Sequence, residues 1–188
     1  MNVMKFGGTS VGSPERMKSV AQLITRSGEP TFVVLSAMSG TTNSLVEISN
    51  YLYKKNPEGA NEEINKLEAK YMVHVENLYS DVAFKTKTRE FLHDRFNYMR
   101  SFTKGIFTSF EEKIIVSQGE IMSTNMMNNL LQENGIKSVL LDALSFMRTN
   151  KNSEPDLPYI KEHLADVMAK NPDKQIYITQ GFICRNAY

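Results

Sequence analysis

A lysine at the end of an apolar N-terminal segment runs straight into paired glycines in the stretch Met4-Lys5-Phe6-Gly7-Gly8-Thr9-Ser10-Val11. Two glycines strip a turn of side chains, so backbone N–H groups can approach an anion closely, and a helix start behind them adds its positive dipole end. That is phosphate-binding chemistry. Gly7 and Gly12 have the G-x-x-x-x-G spacing of a P-loop, but Ser13-Pro14 follow where that motif demands Lys-[Ser/Thr]. Here the lysine precedes the glycines. A cation delivered beside a glycine turn suits phosphoryl transfer, which needs charge neutralisation and positioning more than covalent help. Taken alone, K-x-G-G is equally what a tight strand-to-helix turn with a solvated lysine would look like.

A second candidate lies in Ser117-Gln118-Gly119-Glu120-Ile121-Met122-Ser123-Thr124. Glycine inside a helix costs about 1 kcal/mol relative to alanine, so Gly119 signals that something approaches the backbone closely. At helical spacing Val116, Ser117, Glu120, Ser123 and Thr124 share one face, with Ile114, Ile121 and Met122 around the other side. A lone acid in a stripe of small side chains is not an ordinary solvated face. Between the two candidates, residues 36–43 (S-A-M-S-G-T-T-N) are small, polar and flexible.

The elements that must position these groups follow from pattern. Residues 3–6 read as a short buried strand. Ser13-Pro14-Glu15 is a helix start with a capping serine, proline at the first helical position and an acid in the first turn. That helix runs to about Arg26 on a stripe of Met17, Val20, Ala21 and Ile24. Residues 31–35 (T-F-V-V-L) are a continuous apolar run, as in a central parallel strand. Strand, helix, strand makes a βαβ unit, whose crossover is nearly always right-handed. The loop 36–43 then falls at the carboxyl ends of the strands, where open α/β sheets bind ligands, facing the glycine turn. A helix over 44–54 follows it.

From about 57 to 104 two long helical patterns replace the strand signal, with Ile64, Leu67, Tyr71, Val75 and Leu78 on one and Phe91 or Leu92, Arg95 or Phe96, Met99 and Phe102 on the other. This reads as a helical insertion packed beside the sheet. His74 and His93 within it lack accompanying ligands and read as ordinary helix residues. A helix over 110–134, a strand over 137–141, a helix over 156–170 and a strand over 175–179 complete an α/β fold. The expected architecture is a mostly parallel sheet with helices on both faces. Residues 142–153 fit a loop or a small edge hairpin.

Composition sets outer bounds. With 22 Lys and Arg against 21 Asp and Glu over 188 residues, no global charge attracts nucleic acid or an anionic membrane. No apolar run approaches transmembrane length. Cys184 is the only cysteine, which excludes an internal disulfide and a CxxC pair and suits a reducing cytoplasm. It reads as a small buried hydrophobe near a strand end. The N-terminus, already a strand, does not have the layout of a signal peptide.

Four blocks together resemble aspartate kinases, in the amino-acid kinase superfamily: K-F-G-G-T-S-V at 5–11, V-V-L-S-A-M-S-G-T-T-N at 33–43, S-Q-G-E-I-M-S-T at 117–124 and T-Q-G-F-I at 179–183. They occur in family order, and the insertion matches in helical character. The resemblance implies transfer of the ATP γ-phosphoryl group to the β-carboxylate of L-aspartate, with Mg2+ on the nucleotide, in lysine, threonine and methionine synthesis. Carried over by position, Lys5 would contact the transferring phosphoryl group, and Gly7, Gly8, Thr9 and Ser10 would form the phosphate-facing loop. Ser36 and Thr42 would contact aspartate, Glu120 would hold its α-ammonium group, and Phe182 would border the same pocket. No protein ligand for Mg2+ is evident. Residues 1–188 would then be the N-terminal part of a catalytic domain. The family's glycine-rich G-R-G-G-S-D-type segment, its nucleotide-binding part and its regulatory ACT domains would lie beyond Tyr188. Such a fragment would be catalytically inactive alone, and its uncovered sheet edge would favour self-association. A glutamate or acetylglutamate kinase, and a non-catalytic binding module on the same sheet, are the alternatives.

Overall fold

The four strands of the computed structural model, which describes residues 1–187, are all parallel. They are Asn2–Phe6 (β1), Thr31–Leu35 (β2), Ser138–Leu141 (β3) and Ile176–Gln180 (β4), in spatial order β1-β2-β4-β3. Parallel neighbours require crossovers. Pro14–Thr25 (α1) supplies the one between β1 and β2, and Leu157–Ala169 (α6) the one between β3 and β4. Between β2 and β3 the chain makes Thr41–Tyr53 (α2), Pro57–Leu78 (α3), Val82–Ser101 (α4) and Ser109–Glu133 (α5).

Alternation along the strands decides the layers. Val33, Leu35, Ile176 and Ile178 face the main core, which also takes Met17 and Ile24 of α1, Leu45 and Ile48 of α2, and Met122 and Met126 of α5. Phe32, Leu141 and Tyr177 face the other way, against Phe146 and, on α6, Leu164, Val167 and Met168. That second layer is narrow. On β1, Val3 and Lys5 stay exposed while Met4 and Phe6 are half-buried against the main core.

Caps fall where the residue types put them. The Ser13 hydroxyl accepts from the Arg16 N–H, and Asn56, Asp81 and Asp156 side chains accept at the starts of α3, α4 and α6. Thr108 and Glu111 form a reciprocal capping box at the start of α5. Tyr71 of α3 and Phe96 of α4, both fully buried, meet edge to face with centroids 5.7 Å apart.

Two details differ from the sequence reading, the start of α2 and the exposure of Cys184, and two more go beyond it. Helix α2 starts at Thr41 rather than at 44, because Gly40 takes a left-handed conformation (φ 79°) and turns the chain into the helix without a side-chain cap. Residues 142–153 form a short 3-10 turn and a tight loop, the first of the two alternatives read from the sequence. There the Asn150 side chain accepts from the N–H groups of Asn152 and Glu154, and only isolated bridges pair Arg148 with Arg185 and Thr149 with Pro155. Cys184 is exposed, since it lies past the turn that ends β4. Helix α5 is buried on most of its circumference, from Gln118 and Gly119 through Met122 to Asn128 and Asn129, because the sheet and α2 and α4 flank it.

His74 sits on α3 with 5% of its surface exposed, and its Nε2 has no hydrogen-bond partner. Burial pushes it down to about 4; the Glu15 carboxylate opposes this and the Lys70 ammonium reinforces it. Between about pH 6.5 and 4 the unfolded chain binds this proton and the folded chain does not, so stability falls as pH falls through that window. His74→Gln removes the effect. Urea unfolding at pH 7 and pH 4.5 is expected to show the wild-type chain losing about 2 kcal/mol more than the variant; equal losses would contradict the assignment.

Candidate active site

Three adjacent strands, β1, β2 and β4, deliver their following loops to one end of the sheet. The glycine turn Gly8–Val11 is a 3-10 helix entered from Gly7. It is fastened to the loop after β2: the Ser36 N–H donates to the Phe6 carbonyl at 3.1 Å and the Ser39 N–H to the Gly8 carbonyl at 3.1 Å. A β-carbon on Gly8 would stand 2.8 Å from the Ala37 carbonyl oxygen, and one on Gly12 2.9 Å from the Ser39 Cβ. Only glycine permits this approach. From α1, Arg16 Nη1 donates to the Thr9 carbonyl at 2.9 Å, and after β4 the Gly181 N–H donates to the Leu35 carbonyl at 2.8 Å.

Helix α5 crosses beneath the same loop. A β-carbon on Gly119 would lie 2.7 Å from the Ala37 Cβ and 3.3 Å from Cγ2 of Thr41. The missing side chain therefore lets α5 press against residues 37–41, which answers the question its helical position posed. One residue on, Glu120 is 7% exposed. Burial raises its pKa, partly offset by hydrogen bonds from the N–H groups of Glu120 itself and of Ala37. Ser123 Oγ donates to the Ser36 carbonyl at 2.7 Å. Thr124 Oγ1 donates to the Glu120 carbonyl at 2.7 Å and accepts from Gln180 Nε2 at 3.1 Å, while Gln180 Oε1 accepts from the Ala143 N–H at 2.9 Å. These bonds tie α5 to β4 and to the segment after β3.

The Lys5 ammonium lies 4.9 Å from the centroid of the Phe182 ring, a cation–π contact. Phe182 itself is 84% exposed and holds φ at 58°, a conformation that costs a non-glycine residue about 1–3 kcal/mol and concentrates at functional sites. Of the residues singled out in the sequence, Gly8, Ser36 and Glu120 meet around residues 36–39, and Lys5 pairs with Phe182. Gly7, Thr9 and Ser10 belong to the turn, and Thr42 is exposed in the first turn of α2 next to buried Thr41. The cluster thus offers a buried carboxylate and a glycine turn bare of side chains at Gly7 and Gly8, with Lys5 on the strand that leads into that turn. This combination can hold an ammonium group and an anion side by side.

The sequence profile of the amino acid kinase family matches residues 1–188. This chain belongs to that family. It is 28% identical over 184 residues to lysine-sensitive aspartokinase 3 of Escherichia coli K12, a match that takes in 96% of this chain and 40% of the relative. To the Chlamydia pneumoniae aspartokinase it is 28% identical over 187 residues, covering 98% of this chain and 39% of the relative. The crystal structure of E. coli aspartokinase III with aspartate and ADP superimposes with a TM-score of 0.82 at 27% identity, over all of this chain and 42% of that one. The chain therefore spans about 40% of the length of these relatives.

Several site residues escape a reading of the sequence. Arg16 shows only as a charged helix position, and Thr41 is indistinguishable there from Thr42. Gln180 stands inside a recognisable block, yet its double role as donor to α5 and acceptor from Ala143 depends on partners 37 and 56 residues away.

The glycines separate geometric need from tolerance. Gly7→Ala, with nothing within 4 Å of the new β-carbon and φ of −80°, is expected to leave unfolding stability within about 0.5 kcal/mol. Gly119→Ala gains about 1 kcal/mol of helix propensity but must push Ala37 aside, for a net loss of about 1–2 kcal/mol. Gly8→Ala meets a backbone oxygen that cannot rotate away and is expected to lose at least as much. Denaturant unfolding of the three variants checks the order.

Proposed function

We propose that this chain carries the aspartate-side part of an aspartate kinase, which transfers the γ-phosphoryl group of ATP to the β-carboxylate of L-aspartate and forms 4-phospho-L-aspartate. Buried Glu120, set against the loop that the glycine turn also touches, is the observation that carries this reading. An aspartate substrate needs an anion for its amine and donors for its carboxylates, with a cation where the phosphoryl group arrives. Glu120 suits the first need, the hydroxyls of Ser36 and Thr42 the second, and Lys5 the third. The turn Gly7, Gly8, Thr9 and Ser10, held closed by the Ser10 N–H on the Gly7 carbonyl at 2.9 Å, would face the phosphates, and Phe182 would border the pocket. The E. coli aspartokinase III structure with aspartate and ADP, similar over the whole chain, supports both ligand classes.

In the reaction a β-carboxylate oxygen attacks the γ-phosphorus. The bond from that phosphorus to the bridging oxygen breaks, and ADP leaves with the electron pair. A substrate carboxylate with a pKa of about 3.9 is already ionised at neutral pH, so no protein base is required. Positioning and charge do the work. For Mg2+, the glycine turn and residues 36–42 carry no acidic side chain. Among the described residues no group of three or more His, Cys, Asp or Glu could hold a metal ion. The chain thus offers no ligand set of its own, and a divalent ion travelling with ATP would rest on the nucleotide phosphates.

We assign residues 1–188 to the N-terminal part of the catalytic domain, with 57–104 as its helical insertion, and place the enzyme in lysine, threonine and methionine synthesis in the cytoplasm. Among the described residues no helix is long and apolar enough to cross a membrane.

Isothermal titration of the chain with L-aspartate tests the reading. Binding is expected in the wild type and a loss of at least about tenfold in Glu120→Gln, the cost of removing one partner of a desolvated charge pair. Affinity should weaken as pH falls through the raised pKa of Glu120, above the ordinary 4.5, while the variant stays flat there. Because burial penalises the ionised form, the folded state holds the Glu120 proton more tightly than the unfolded state. Above both pKa values the charge therefore destabilises, and Glu120→Gln should unfold at a higher urea concentration at pH 7. A variant that binds aspartate as well as the wild type overturns the assignment.

A further inference from the structure

The helical insertion touches the site through two consecutive residues of α3. Lys70 Nζ donates to the Ser39 carbonyl at 2.9 Å and stands 3.5 Å from where a β-carbon on Gly40 would be. Tyr71, fully buried, shares a 3.0 Å hydrogen bond between its hydroxyl and Oγ1 of Thr41, also fully buried. Together they grip both ends of the turn at 39–41, whose middle residue is the left-handed Gly40. That turn meets the glycine loop through the Ser39 N–H to the Gly8 carbonyl, and it meets α5 through Thr41, against which Gly119 packs. Burial raises the Tyr71 pKa, opposed by the Thr41 hydrogen bond and reinforced by the Glu120 charge, so it stays a neutral phenol. Helix α3 is also fixed away from the turn, since the Tyr71 ring meets Phe96 of α4 edge to face and Lys18 of α1 donates to the Asn77 carbonyl.

We propose that Lys70 and Tyr71 are positioning residues of this site, through which the helical insertion holds the 39–41 turn in register with the glycine loop and with Glu120. The insertion is then a brace for the substrate-side loop as well as a cover for the core. Its role in binding aspartate rests on the reading given above; its role in fixing the turn does not.

Both parts can be read on the same chain. Amide hydrogen exchange without ligand reports the turn directly, through the Ser39 N–H to Gly8, the Thr41 N–H to Met38 and the Ser44 N–H to Gly40. In Lys70→Met these amides are expected to exchange about tenfold faster, with β3 and α6 unchanged and with Lys70→Arg, which keeps a cationic donor, close to wild type. Tyr71→Phe should act on the Thr41 and Ser44 amides in the same direction. Unchanged exchange at 39–44 in Lys70→Met, or a uniform rise across the whole chain, overturns the brace. Titration with L-aspartate then separates the two claims. Weaker binding in Lys70→Met, restored in Lys70→Arg and with the pH dependence set by Glu120 retained, links the brace to the site. Equal binding in Lys70→Met overturns that link, and a wild-type chain that binds no aspartate counts against the kinase reading while exchange still decides the brace.

Discussion

The close backbone approach between the glycine turn and the loop after β2 governs the arrangement of everything else at this end of the sheet. Ala37 is its hub. Its carbonyl oxygen occupies the space that a side chain at position 8 would need, and its methyl group occupies the space that one at position 119 would need. Its N–H lies close enough to the Glu120 carboxylate to lower the cost of its charge. A single small residue thereby fixes the distance from β1 to β2 and from β2 to α5. Because packing in such a contact is steric, it tolerates little adjustment, and errors there would reach every group of the site at once.

Much of this was legible in the sequence because it depends on local chemistry. Parallel strands buried on both faces must be apolar runs, as residues 31–35 and 176–178 are. Ser13-Pro14 announces a helix by its cap, and Gly119 announces a close contact because a mid-helix glycine has no local justification. The parts that were not legible depend on partners far along the chain or on a backbone state that no side chain signals. The early start of α2 comes from the left-handed Gly40. The loop at 142–153 is organised by side-chain acceptors such as Asn150 and by Arg185, which donates to the Leu144 carbonyl 41 residues away. Tyr71 looked like one more residue of a core stripe, and it is one. Its hydroxyl, which periodicity cannot report, is what reaches Thr41 across 30 residues.

The same distinction explains why α5 was only partly understood from its pattern. Helical spacing separated a face of Glu120, Ser123 and Thr124 from an apolar side; the polar face is buried, while on the apolar side Met122 is buried and Ile114 and Ile121 are half-buried. A helix flanked by a sheet and by α2 and α4 has little solvated face to mark, so polarity at its buried positions reports hydrogen bonding. Each small polar residue on that face has a defined partner. Ser123 bonds the loop after β2, Thr124 bonds back to its own helix and receives Gln180, and Asn129 donates to Thr88 of α4.

Glu120 is the charged member of this network. Among the described residues no side-chain cation neutralises it, and its own and the Ala37 N–H groups offset only part of the cost of burying its charge. A fold selected for stability alone would place glutamine or an apolar residue there, since an uncompensated buried charge is destabilising. Keeping a carboxylate at that position makes sense if a cationic ligand completes it. On the reading proposed above, the stability lost in the free chain would be regained on binding, as selectivity for a ligand that carries a positive charge next to an anionic group. The surrounding rigidity serves the same end. A carboxylate free to rotate toward water would lose the desolvation that makes it discriminate, and the contacts converging on residues 37–41 from β1, α3 and α5 hold its N–H donor from Ala37 in place.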